Sequence, residues 1–300
     1  MCDLEYSVRV MQREDIPQVL EVWKETKLQE GTQTLYTWFE VDPEAFYIAV
    51  TESGEVIGVC SGLIHHEDLA FVGIYAVREK YRGKGVGYKV WSACMDHIGS
   101  MDVCINAVPD KFELYRDKGG FPVVETEWKC VVNETQFDVA FNPEALSDII
   151  PEGVEILPFQ DSFLPSMLEY DYSLMGYKRD IAIELNCKEK DSQTVVAMKD
   201  GACIGWGTIK LTCLNLGLVG PLYADDADVA EAILRRLITE YPRYDGFSMM
   251  TISSNVAASA MLRKIGCQAL EECPRLYRKH KLKVDVNKVF AHFNCNFSPF

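Results

Sequence analysis

The chain is 300 residues long, 48% hydrophobic and 25% charged, an ordinary globular composition that excludes a disordered chain and is long enough for two domains with separate cores. A formal charge of −15 argues against a nucleic-acid binder, because a phosphate backbone selects basic surfaces. No apolar run nears the roughly 18 residues of a membrane span, and the start, MCDLEYSVRV, lacks the plan of a secretory signal. The eleven cysteines include no C-x-x-C pair and fit reduced thiols, so a cytoplasmic protein without membrane or metal is expected.

In chain order, β-branched or aromatic runs at 7–10, 46–51, 56–64 and 69–77 predict four strands. The sequence YRGKGVG follows at 81–87, and then a run at 88–98 that puts Val90, Trp91, Cys94 and Ile98 on one helical face. Strand, glycine-rich loop and helix in that order suit a phosphate cradle and, on this stretch alone, equally a tight βα turn with solvated basic residues. Glycines let backbone N–H groups converge without Cβ interference, and the helix adds its positive N-terminal end. Arg82 and Lys84 supply full charges. The spacing matches neither the G-x-G-x-x-G of a dinucleotide fold nor a Walker loop. Downstream, a strand at 103–108 leads into a helical run at 110–118, which carries Tyr115 and closes on Gly119, Gly120 and Phe121.

The pattern then recurs. Gly58 precedes Gly120 by 62 positions and Gly205 precedes Gly266 by 61, with strands predicted at 203–212, 217–222 and 246–253 and helices at 228–241 and 255–266. This divides the chain into a first domain at 1–142, a linker at 143–152 in which Asn142-Pro143 opens a helix, a second domain at 153–280, and a tail at 281–300. Where the first copy has its glycine loop, the second has PLYADDADVAE. Asp225, Asp226 and Asp228 suit a helix start but repel a diphosphate, so the second domain is expected not to bind a nucleotide cofactor there. Met261 stands in the place of Tyr115.

On these residues the chain resembles the GNAT superfamily of N-acetyltransferases. Arg82, Gly85 and Gly87 match the family's R-x-x-G-x-G, and Leu114, Tyr115, Gly120 and Phe121 match its L-Y…G-F helix. The resemblance spans roughly residues 5 to 280 and implies an α/β (α+β) fold of two tandem GNAT domains, each a mixed, mostly antiparallel twisted sheet flanked by helices. It implies acetyl-CoA as co-substrate, with its pyrophosphate on Arg82, Gly83, Lys84, Gly85, Val86 and Gly87. Backbone N–H groups of Tyr75, Ala76 and Val77 would meet the pantetheine and thioester, and Tyr115 would assist the departing sulfur as the catalytic residue. The second half, with Arg179, I-G-W-G-T-I-K at 204–210 and G-P-L-Y-A-D at 220–225, is similar to the YitH/HolE-type GNAT domain.

The expected reaction is direct transfer of acetyl to a small-molecule amine such as an amino acid, polyamine or arylalkylamine. The alternatives are a non-catalytic acyl-CoA sensor or scaffold and a transferase for protein amines. Residues 1–148 hold 13 basic against 26 acidic side chains, a field that attracts a cationic amine and equally serves solubility. A cleft between the domains is the expected acceptor site, with Tyr36, Trp38, Arg179 and Tyr223 as its candidate side chains. Arg179 fits a substrate carboxylate or an ion pair with Asp171, Asp180 or Glu184. The general base stays unassigned: His65 and His66 head a polar HHED turn, whose composition fits a solvated hairpin as well as a base.

Overall fold

The computed structural model describes residues 4–28, 30–135, 139–241 and 244–300. The first half runs β1 (Tyr6–Val10), α1 (Ile16–Thr26), α2 (Thr34–Val41), β2 (Phe46–Thr51), β3 (Val56–His66), β4 (Leu69–Val77), α3 (Val86–Ile98), β5 (Asp102–Asn106), α4 (Phe112–Asp117) and β6 (Val123–Thr135). The second half repeats the order: β7 (Val154–Pro158), α5 (Leu164–Met175), α6 (Asp180–Cys187), β8 (Ser192–Lys199), β9 (Ala202–Leu211), β10 (Leu216–Ala224), α7 (Ala227–Glu240), β11 (Gly246–Ile252), α8 (Val256–Lys264) and β12 (Cys267–Tyr277). A short β13 (Val289–Ala291) follows.

Local chemistry explains the helices. Pro17 in the first turn of α1 supplies a preset φ where no N–H is needed, and Ile16, Val19, Val22 and Trp23 bury one face. In α3 the buried residues Val86, Val90, Cys94 and Ile98 recur every fourth position, and Trp91 flanks them half-buried. Asp226 caps α7 by accepting the Val229 N–H at 2.9 Å. The linking helix expected after Asn142 does not form: only a single 3₁₀ turn, Pro143–Ala145, is present. Too few residues precede Pro151 to repay helix nucleation, and the Ser147 N–H is taken by the Glu231 carboxylate instead.

The thirteen strands of the described residues join one sheet in the order β1-β2-β3-β4-β5-β12-β6-β11-β10-β9-β8-β7, with β13 added on β10. Neighbours are antiparallel except β4 with β5 and β10 with β11. The sequence order is broken at the centre, where the halves exchange their sixth strands. β12 pairs with β5 of the first half, and β6 pairs with β11 of the second. The two copies are therefore hydrogen-bonded into one body, and neither completes its sheet alone.

One face of the sheet carries α1, α2, α5 and α6 over a single shared core that includes Trp23, Trp38, Met167, Ile183, Trp206 and Tyr223. On the other face α3 packs over the first half and α7 and α8 over the second, in two separate cores. No described helix is long and apolar enough to cross a membrane. The ten cysteines of the described residues are free thiols, and no metal-binding cluster occurs among those residues.

The tail is part of the shared core. Phe293, Phe297 and Phe300 are buried at 1% exposure or less, and Phe297 stacks on Trp38 at 5.8 Å. Rings of this size each remove about 150–250 Å² from water, which is enough to order an otherwise irregular segment. A spacing of three or four between Phe290, Phe293, Phe297 and Phe300 is a burial signal that could have been read from the sequence.

Candidate active site

The site forms where two parallel strands part. β4 and β5 pair only at residues 69–71 with 102–104. Further along β4, Ile74 and Tyr75 together face Cys60 of β3, a bulge in which Ile74 takes φ +44°, a conformation rare for a β-branched residue. Residues 72–77 then line a pocket of about 810 Å³, bounded across the gap by Ile105, Asn106 and Val108.

The glycine loop closes one end. Gly83 and Gly85 hold φ of +74° and +80°, which side chains with a Cβ resist. A Cβ on Gly87 would come within 2.4 Å of the Tyr75 hydroxyl. Arg82 is tethered through its Nε to the Val77 carbonyl at 3.0 Å. The loop opens α3, whose first-turn N–H groups have no intrahelical acceptors. Arg82, Gly83, Gly85 and Gly87 line the pocket with Tyr75, Ala76, Val77 and Tyr115. Lys84 and Val86 do not: Lys84 Nζ lies over the Tyr81 ring, and Val86 is buried beneath the loop.

Tyr115 reaches the pocket from α4. It stacks on Trp91 with ring centroids 5.3 Å apart and is 7% exposed. Burial pushes its phenol pKa up, so the hydroxyl keeps its proton across the neutral range. Gly119 ends the helix tightly, since a Cβ there would meet the Tyr115 backbone at 2.8 Å.

The equivalent place in the second half is closed. β10 leaves β11 after Val219, and β13 pairs with β10 at Leu222 and Tyr223 in the gap. Asp225, where the first half has its loop, pairs with Lys288 at 2.9 Å. Met261 is buried at 2% exposure.

From there the tail crosses to the first half on the face opposite α3. A Cβ on Gly220 would meet the His292 carbonyl at 2.8 Å, and one on Gly73 would meet the Asn296 carbonyl at 1.8 Å. Asn106 donates to the Cys295 carbonyl at 2.9 Å, and His65 Nε2 donates to Phe297 O at 2.8 Å. Glu30, 1% exposed, accepts both the Asn294 and Asn296 side-chain amides at 2.7 and 2.6 Å. Burial pushes its carboxyl up to about 7, against the pull of those amides and of Lys210. Neither the tail nor Glu30 was marked as functional by any sequence motif.

The expected acceptor cleft is occupied by this tail, which corrects the sequence expectation for its side chains. Arg179 forms a two-point ion pair with Asp171 at 2.8 and 2.6 Å, and its remaining donors go to Ser298, the Phe300 carbonyl and the Tyr223 hydroxyl. No donor is left for a substrate carboxylate. Trp38 and Tyr223 are fully buried against the tail-filled core, and Tyr36 lies outside the pocket under the Arg13 guanidinium. The structure thus brings none of the four to the open pocket. His65 is engaged by the tail, and burial lowers its imidazole pKa to about 3.

Two family models match consecutive parts of the chain: the acetyltransferase (GNAT) family over residues 9–108 and an acetyltransferase (GNAT) domain over residues 167–291. No curated protein matches the sequence. Among solved structures, a protein of Pyrococcus horikoshii described as a candidate acetyltransferase superposes with a TM-score of 0.75 at 17% identity, covering 98% of this chain and 96% of its own. A tandem GNAT protein from the clavulanic acid biosynthesis pathway gives 0.63 at 12% identity, over 91% and 98%. A GCN5-related N-acetyltransferase from Sphaerobacter thermophilus gives 0.59 at 14%, over 95% and 96%. At these identities the likeness is one of fold, and fold together with both family matches leads to one conclusion: the chain belongs to the GNAT superfamily of acetyltransferases, as a tandem of two GNAT domains.

Proposed function

We propose that the first half binds acetyl-CoA and transfers its acetyl group to the amine of a small molecule, while the second half, of the YitH/HolE type, serves as scaffold. The observation that carries this reading is the meeting of the glycine loop, the parted edge of β4 and Tyr115 in one pocket. In this reading the diphosphate lies on the loop and the α3 N-terminus, where each favourable interaction with the helix end contributes about 0.3–1 kcal/mol. The pantetheine runs between β4 and β5, pairing with the strand edge that β5 leaves free. The bulge at Ile74 and Tyr75 turns backbone N–H toward the thioester oxygen, which gains negative charge as the amine attacks.

Tyr115 completes the arrangement. Its hydroxyl stays protonated and donates to the sulfur as the C–S bond breaks. The tail, packed against the sheet at Gly73, supports a small acceptor by narrowing the space beside β4. The first half's acidic balance favours a cationic amine.

The test is incubation with acetyl-CoA and a pooled library of small amines, following thiol release and new acetylated masses. Thiol release coupled to an acetylated amine is the expected result. Binding of acetyl-CoA without any turnover would favour the acyl-CoA sensor instead, and acetylation confined to peptides would move the acceptor class.

A further inference from the structure

The acceptor's ammonium group needs a carboxylate, and few are within reach. Among the described residues two carboxylates line the pocket, Asp110 and Glu271. Asp110 pairs with Lys111 at 2.8 Å. Glu271 has no ion-pair partner among the described residues, and its one hydrogen-bond neighbour is the Cys273 thiol at 3.7 Å. No histidine lines the pocket, and burial holds the Cys295 thiol and the Tyr115 phenol in their neutral forms.

Glu271 also lies on the appropriate face. It is registered with Val132 of β6, and cross-strand partners share a face of the sheet. Val132 packs with Cys130, Cys273 and Cys295, so this is the tail side, the side on which Asn296 meets Gly73. Acetyl-CoA on the α3 loop would present its thioester through the gap toward that side. A bulge between Ala269 and Glu271 shifts the register there, a device that re-aims a side chain. Glu272, the next residue, pairs with Lys129 at 2.7 Å. Glu271 is delivered by β12, the strand that the second half contributes to the first.

Resting on the transferase reading above, we propose that Glu271 binds the acceptor's ammonium and takes its first proton. The neutral nitrogen then forms the C–N bond to the thioester carbon. The C–S bond breaks, the nitrogen's second proton ends on the departing sulfur by way of the Tyr115 hydroxyl, and Glu271, exposed to solvent, returns its proton to water. The exchanged strand thereby makes the second half necessary to catalysis although its own cleft is closed.

The experiment compares wild type with Glu271→Gln, Glu271→Asp and the control Glu272→Gln, using as substrate a free alkylamine that the library screen shows to become acetylated. Acetyl-CoA affinity is measured by calorimetry and kcat/KM between pH 7 and 9.5. Glu271→Gln should keep acetyl-CoA affinity within about twofold and lose about 10²-fold or more in kcat/KM at pH 7, the usual worth of a positioned base. The loss should shrink as pH approaches the amine's own pKa near 10, where the free amine needs no proton acceptor. Glu272→Gln should match wild type. If Glu271→Gln stays within twofold of wild type, or its deficit is the same at every pH, the assignment is wrong while the transferase reading stands. If Glu271→Gln loses acetyl-CoA binding as well, Glu271→Asp decides: it must keep both binding and at least about a tenth of wild-type transfer. A wild type that binds acetyl-CoA and acetylates no amine overturns the transferase reading and this assignment together.

Discussion

The main-chain carbonyl of Asn296 sits 1.8 Å from where a Cβ on Gly73 would lie, so the tail rests directly on the backbone of β4 beside the parted strands. Only glycine admits that approach. The neighbouring backbone atoms of Asn296 are also within 3.1 Å, which leaves no flexible side chain to give way.

Gly73→Ala should therefore lift the tail off the sheet. Overpacking a tight core costs about 1–3 kcal/mol, and here the obstructing atoms are main chain. Thermal melting should fall by several degrees, and hydrogen exchange should rise at residues 292–298. A variant with the wild-type melting temperature and unchanged exchange would contradict the packing.

Gly85→Val combines a disallowed φ with added bulk at the loop. Acetyl-CoA affinity measured by calorimetry should fall at least about tenfold, or about 1.4 kcal/mol. In the same titration the wild type should bind one equivalent per chain, because β13 and Asp225 fill the second cleft. Two equivalents would refute that part.

Tyr115→Phe keeps the ring stacked on Trp91 and removes only the hydroxyl. Stability should change little. In single-turnover reactions with acetyl-CoA prebound, transfer should slow by about 10²- to 10⁴-fold. An unchanged single-turnover rate would make Tyr115 a packing residue.

Arg179→Ala leaves the Asp171 carboxylate buried and unpaired, a change that typically costs about 3–5 kcal/mol. It should also loosen the tail at Ser298 and Phe300. Denaturant unfolding should show the loss. A selective rise in acceptor KM with full stability would revive the substrate role first expected for this residue.

His292 gives the protein an acid-sensitive tail. It is 1% exposed, and burial with the nearby Arg275 charge lowers its pKa to about 3. The unfolded chain binds a proton near pH 6.5, before the folded one does. Stability is full above that pH and is lost as pH falls toward 3, by about 2 kcal/mol at pH 5 for one such group. His65 adds in the same direction. Glu30, with its folded pKa raised, opposes both, since below pH 7 the folded state takes that proton first. His292→Phe should flatten the decline in melting temperature between pH 7 and 5; an unaltered decline would assign it to other groups.

The strands before the glycine loop and the helices after it were legible, with their counterparts in the second copy, because their signals are local; α1, α2, α5, α6, β6, β7, β8 and β12 were not anticipated. The apolar face of α3, the glycines before it and the turn at Gly119 and Gly120 each lie within a dozen residues, and the aspartates at 225–228 marked the missing phosphate loop of the second copy. Arg179 shows where such reading stops. A bidentate guanidinium is the same in sequence whether it meets a substrate or Asp171, and only packing decides which.

What the sequence by itself determined is the tandem fold and the composition of the glycine loop, since periodicity and backbone preference are properties of neighbouring residues. What the tertiary structure decided is the exchange of β6 and β12, the filling of the second cleft by β13, and the seating of the tail on Gly73. Each joins residues far apart in the chain. Glu30 meets Asn296 across 266 positions, and Asn106 meets Cys295 across 189. Such contacts are selected by shape, burial and hydrogen-bond satisfaction in the assembled core, and no short stretch of sequence carries that information.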